Sequence, residues 1–144
     1  MEFGGNAPFI VYKCANIDLA VKCLLISKFR NAGQTCISPN RIFVHAKIYD
    51  VFLKKIQSAV ATLKAGDPTH TSTQISCLYS DKGHKKVDSL VENAINEGAK
   101  CIYQGMPVKE CGPFFYPPTI LSDCYNKMII SQTEIFGPVC CIQK

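Results

Sequence analysis

The chain has no run approaching the ~20 consecutive apolar residues that a membrane-spanning helix requires, so a membrane protein of that kind is not expected. No two of its cysteines have C-x-x-C spacing, which argues against a zinc ribbon or a dithiol redox motif. His45, His70 and His84 are scattered, and no metal site is expected. No G-x-G-x-x-G occurs, so the glycine-rich turn of a dinucleotide-binding βαβ unit is missing. Basic clusters are equally scarce. Lys54-Lys55 and Lys85-Lys86 are the only tight pairs, and a formal net charge of +5 is too mild and too dispersed to point to nucleic acid. No repeat, low-complexity tract or linker interrupts the chain, so residues 1–144 read as one domain.

What is present describes a folded core. Hydrophobic residues make up 47% and charged residues 19% of 144 residues, a globular rather than a disordered balance. The nine cysteines are many for this length and odd in number. Most are expected to be small apolar core residues in a reducing compartment, the cytosol or the mitochondrial matrix.

Strand-like and helix-like segments alternate. Phe9 to Tyr12, Arg41 to His45, Lys100 to Tyr103, Pro118 to Leu121 and Val139 to Ile142 read as strands. Ile17 to Phe29 has helical spacing, with Asn16 as N-cap and Asp18 in the first turn. Tyr49, Phe52, Leu53, Ile56, Val60 and Leu63 form a second helical stripe, stopped by Gly66 and Pro68. Asp81 to Gly98 is a third helix, with Val87, Leu90, Val91, Ala94 and Ile95 facing inward. Thr69 to Ser76 and Gly105 to Pro118 read as irregular. The alternation predicts an α/β layer with a mainly parallel sheet flanked by helices.

Three short segments carry chemistry. In Phe29-Arg30-Asn31-Ala32-Gly33-Gln34-Thr35-Cys36, a cysteine follows a small polar segment whose backbone N–H groups can lower a thiol's pKa. The alternative is a buried structural cysteine. In Glu2-Phe3-Gly4-Gly5, two glycines let a carboxylate approach a ligand closely, although a solvated terminal glutamate fits the residues as well. In Glu134-Ile135-Phe136-Gly137-Pro138, a turn presents Glu134 and Phe136. Arg30 has the forked geometry to bind a carboxylate, or it is an ordinary helix-end arginine. Asn31 and Gln34 are expected to shape the loop.

In order and approximate spacing, the three segments together resemble the aldehyde dehydrogenase superfamily, and the Phe-Arg-Asn-x-Gly-Gln-Thr-Cys form resembles its succinate-semialdehyde branch. The resemblance implies the catalytic domain of that fold, here incomplete. It implies Cys36 as nucleophile, Glu2 as the base that activates the hydrolytic water, Glu134 and Phe136 as contacts to NAD or NADP, and Arg30 as the group that binds a substrate's distal carboxylate. The implied substrate is a small semialdehyde, with succinate semialdehyde or another carboxylate-bearing aldehyde as the choices, and the implied intact enzyme is a homo-oligomer. Phe3 stands where the family has leucine. Ser38 stands where many members of the branch have a second cysteine, so a disulfide switch at that place is not expected. The nucleotide-binding domain, the oxyanion-hole asparagine and the oligomerisation strands have no counterpart in the 144 residues, which alone are expected to be inactive. The alternative is a non-catalytic product that associates with full-length subunits.

Overall fold

A computed structural model describes residues 3–108 and 112–144. Five strands form one sheet in the order β1-β2-β5-β4-β3. They are β1 (Ala7–Val11), β2 (Pro39–Val44), β3 (Lys100–Gln104), β4 (Thr119–Cys124) and β5 (Val139–Gln143). β1, β2, β5 and β4 run parallel, and β3 is antiparallel to β4 at the edge. The mainly parallel sheet expected from the alternating pattern is therefore present.

Burial explains which strands sit where. All five residues of β5 are buried, and five of the six in β4. Strands covered this completely belong in the middle of a sheet packed on both faces. β1 alternates between exposed and covered residues and lies at the other edge. Pro8, which has no N–H to give to a ladder, is tolerated there beside an irregular register step.

Among the described residues, four α-helices accompany the sheet: α1 (Ile17–Phe29), α2 (Tyr49–Val60), α3 (Asp81–Asn96) and α4 (Ile129–Gln132). Asn16 caps α1, its side-chain oxygen accepting from the Leu19 N–H at 3.1 Å. Ser80 caps α3 in the same way, accepting from the Gly83 N–H at 3.1 Å. α2 buries Tyr49, Phe52, Ile56 and Val60, the expected stripe, and ends at Val60 rather than Leu63. α3 buries Val87, Leu90, Val91 and Ala94, whereas Ile95 lies on the exposed side, one position past the inward face. α1 is apolar on every side. It buries Val21, Leu24, Lys28 and Phe29 and leaves Leu19 and Ile26 exposed.

The cysteines depart from expectation. Cys124, Cys140 and Cys141 are buried, but Cys14, Cys23, Cys36 and Cys101 are exposed and Cys77 is half-covered. The exposed ones sit on the outer side of α1, on the edge strand β3 and in loops, where a small side chain has no second layer to pack against. Cys111 lies outside the described residues. Among the described residues, no helix is long and apolar enough to cross a membrane, and no cluster of His, Cys, Asp and Glu is fit to hold a metal.

Topology brings the three sequence segments together. Gly4-Gly5 leads into β1, Cys36 leads into β2, and Glu134 to Gly137 lead into β5. These strands are parallel neighbours, so their entry loops lie side by side at one end of the sheet. That end is the amino end of the strands, opposite to the carboxyl ends where open α/β sheets usually place ligands.

Candidate active site

The three loops touch through their backbones. A Cβ built on Gly5 would lie 2.0 Å from the carbonyl oxygen of Cys36, and one on Gly33 would lie 2.2 Å from that of Gly137. A Cβ on Gly4 would approach Glu134 Oε2 to 3.2 Å. Gly5 and Gly33 are thus required because another backbone passes directly over them, and Gly4 because its φ is 73°. Gly137 is enclosed from the other side, 2.6 Å from Val87 Cγ2 of α3 by the same measure.

The cysteine loop is wound tightly. After α1 ends at Phe29, Asn31, Ala32 and Gly33 take three successive left-handed conformations, with φ of 52°, 53° and 75°. Ala32 has no side-chain hydrogen bond to offset this strain and is 1% exposed, so the surrounding packing holds it. Asn31 and Gln34 clasp the turn. Asn31 Nδ2 donates to the Gln34 carbonyl at 3.0 Å, and Gln34 Nε2 donates to the Asn31 carbonyl at 3.1 Å. The Gln34 side chain also reaches the segment before α3, where its Oε1 accepts from the Tyr79 N–H at 2.8 Å. Cys36 follows in a turn closed by Ser38 N–H to Thr35 carbonyl at 3.0 Å, and its side chain is exposed.

Glu134 sits at the edge of a cleft. Its Oε1 is buried and has no hydrogen-bond partner among the described residues. Gln34, Tyr79, Lys82, Lys86, Glu134 and Phe136 are among the residues that line a hollow of about 420 Å³. Phe136 adopts φ of 56°, a left-handed conformation at a bulky residue, immediately before Gly137. A second hollow beside it shares Gln34, Tyr79 and Phe136. Arg30 is exposed and lines a different hollow of about 350 Å³, together with Lys22, Phe29 and Gln74. The structure therefore joins Cys36, Glu134 and Phe136 through their loops and turns the Arg30 side chain elsewhere. Glu2 lies outside the described residues.

Two residues with no signal in the sequence are buried where the loops meet. Asn40 in β2 is 2% exposed. Its Nδ2 donates to Asn6 Oδ1 at 2.8 Å and to the Thr133 carbonyl at 2.9 Å, and its Oδ1 accepts from the Ile135 N–H at 2.8 Å. One side chain thus ties the glycine segment to the Glu134 loop. The second is Lys28, 1% exposed in the last turn of α1. Burial pushes its ammonium down to about 8. An asparagine in a strand and a lysine in a helix both read as surface residues, which is why pattern reading passes over them.

A strand-entry cysteine loop clasped against a glycine segment and a Glu-x-Phe-Gly loop, beneath a mostly parallel sheet, is a site suited to thiol chemistry beside a ligand cleft. The aldehyde dehydrogenase family model matches residues 1–144. The chain belongs to that family. It is 40% identical over all 144 residues to succinate-semialdehyde dehydrogenase [NADP(+)] 2 of Schizosaccharomyces pombe, of which it covers 29%. It is 44% identical over 139 residues, 96% of the chain, to the mitochondrial succinate-semialdehyde dehydrogenase of Arabidopsis thaliana, of which it covers 26%. It is 41% identical over 139 residues, again 96% of the chain, to glutarate-semialdehyde dehydrogenase of Pseudomonas aeruginosa, of which it covers 29%. In structure it is similar to succinate-semialdehyde dehydrogenase from Burkholderia pseudomallei, with a TM-score of 0.93 at 39% identity over 99% of this chain and 29% of that one. The chain thus spans less than a third of the length of the relatives it matches.

Proposed function

We propose that residues 1–144 form part of the catalytic domain of an NAD(P)-dependent dehydrogenase that oxidises a short carboxylate-bearing aldehyde, succinate or glutarate semialdehyde, to the acid. The observation that carries this reading is the backbone contact of the three loops, with Gly5 against Cys36 and Gly33 against Gly137. The relatives named for these two semialdehydes support the substrate class.

Cys36 Sγ, as thiolate, attacks the aldehyde carbon and forms a C–S bond. The carbonyl oxygen becomes an oxyanion, which the Cys36 backbone N–H would receive. After oxidation the thioester is cleaved by water, with Glu2 assigned as base on its motif. Arg30 is assigned to the distal carboxylate; for that role its exposed side chain must swing from the hollow it now lines. The Glu134 cleft suits the ribose end of a dinucleotide. Oε1 is a buried acceptor without a donor among the described residues. Glu134 would hold the ribose and Phe136 would pack near the nicotinamide, which supplies the hydride acceptor when bound.

The test is carbon-13 NMR of the chain mixed with carbonyl-labelled succinate semialdehyde. A thiohemiacetal resonance is expected with the wild-type chain and is expected to vanish in Cys36→Ser. An equal signal in that variant would sink the assignment of the nucleophile.

A further inference from the structure

The first turns of α3 carry Lys82, Lys85 and Lys86, and the helix sorts them. Lys85 lies one turn beyond Asp81 and pairs with its carboxylate at 2.6 Å. Lys82 and Lys86, also one turn apart, share a different face. Neither forms a salt bridge among the described residues, and both line the hollow of about 420 Å³ that Glu134 and Phe136 also line. Packing brings the start of α3 to this place. A Cβ on Gly137 would lie 2.6 Å from Val87 Cγ2, and Gln34 Oε1 accepts from the Tyr79 N–H at 2.8 Å. The helix start is thus held against the Glu134 loop and the cysteine loop together. Ser80 and Gly83 belong to the same lining, so the positive end of the α3 dipole opens on the hollow as well. In the same hollow, Glu134 Oε1 is a buried acceptor with no hydrogen-bond partner among the described residues. Its volume is that of a small-ligand site. The acceptor calls for a hydroxyl, the rings of Tyr79 and Phe136 for a flat apolar surface, and the two ammonium groups for an anion.

We propose that Lys82 and Lys86 form a phosphate site: they receive the 5′-phosphate of the ribose that Glu134 holds, so the cleft selects a nicotinamide nucleotide over the bare nucleoside. This rests on the reading of Glu134 as the acceptor for a cofactor ribose and extends it by one group. The two contacts need opposite chemistry. An ionised carboxylate only accepts, so it takes sugar hydroxyls and repels a phosphate. The phosphate therefore needs cations of its own, and lysine ammonium groups act on it as point charges. Pairing Lys85 with Asp81 on another face keeps the acid of the first turn away from that anion.

The test is NMR titration of the nitrogen-15-labelled 144-residue chain with nicotinamide riboside, nicotinamide mononucleotide and ribose 5-phosphate. The first two differ only in the phosphate. The mononucleotide is expected to bind about tenfold more tightly than the riboside at low salt and to shift the amides of residues 80–86. Lys82→Gln/Lys86→Gln, at two exposed positions, should remove that preference and leave riboside binding unchanged. Lys54→Gln/Lys55→Gln takes the same charge from α2 and should keep the preference. A mononucleotide that binds no better than the riboside overturns the proposal. So does a preference that survives the first double variant, or one that the second abolishes equally. Ribose 5-phosphate as tight as the mononucleotide would make this a sugar-phosphate site and overturn its assignment to the cofactor. Glu134→Gln reports on the ribose reading alone. It should weaken riboside and mononucleotide by the same factor, and if it weakens neither, that reading fails whatever the lysines do.

Discussion

Replacing Lys28 with methionine should make the protein more stable at neutral pH, and the gain should fade as the pH rises. The folded chain holds this ammonium with a pKa of about 8 against an ordinary 10.5, chiefly because burial strips its water. The value is depressed on folding, so between about pH 8 and 10.5 the unfolded chain binds more protons than the folded one. Stability therefore rises with pH across that window, and below it the buried charge costs the fold about 3 kcal/mol. Methionine removes the charge and keeps a straight apolar stem. Allowing for imperfect packing, the variant should gain about 1–3 kcal/mol at pH 7 and almost nothing near pH 10.5. Cys140 acts in the opposite direction. Burial pushes its thiol from 9.0 up to about 12, so the folded state keeps a proton that the unfolded state releases, and stability falls above about pH 9. That term is nearly common to both proteins and largely cancels in the difference. The assay is urea unfolding of wild type and variant from pH 6 to 10 under reducing conditions. A variant less stable than wild type at pH 7 by more than about 1 kcal/mol, or a gap that stays constant from pH 8 to 10, would refute the reasoning.

Gly33→Ala should destabilise the chain by about 3 kcal/mol or more, because its φ of 75° and the Gly137 carbonyl 2.2 Å from the new Cβ leave it no relaxed position; chemical denaturation measures it. Asn40→Leu should cost about 2–4 kcal/mol, since it strands the buried Ile135 N–H, and should also loosen the Glu134 loop, which amide hydrogen exchange of residues 133–137 would report. Brief iodoacetamide treatment of the native chain should label the exposed Cys14, Cys23, Cys36 and Cys101 and spare the buried Cys124, Cys140 and Cys141, as read by peptide mass spectrometry.

The sequence was legible where local physics and fold agree. α1 spans the expected Ile17–Phe29, with the expected Asn16 cap, because a capping side chain and a helical period end at a left-handed turn. The inner strands were visible through their apolar stretches, Ile42 to Val44, Ile120-Leu121 and Val139 to Ile142. The face of α1 was not visible. Apolar residues stand on every side of it, with Asp18, Lys22 and Ser27 scattered among them, so periodicity does not say which side turns inward, and the side that does includes a lysine. The left-handed backbones of Ala32 and Phe136 were hidden for a related reason, since neither residue type favours that conformation and only the crossing of two loops imposes it. Short α4 carries too few residues to show a period. Asn40 escaped because its partners are 34 to 95 residues away along the chain.

Those hidden residues share a purpose that the motifs alone do not reveal. Cys36 and Glu134 lie on different loops, each with a strained backbone that neither loop could hold by itself. Gly33 against Gly137 and Gly5 against Cys36 fix the distance between loops, and Asn40 fixes their register by hydrogen bonds. Lys28, buried in the last turn of α1, is the fourth, a cation beside the crossing of the two loops. Three of these devices are neutral and cheap, whereas the fourth costs stability at every pH below about 8. At that place an apolar side chain of similar length carries no desolvation cost. The Lys28→Met variant should therefore resist urea better than the wild type at neutral pH and lose that advantage as the pH approaches 10.5.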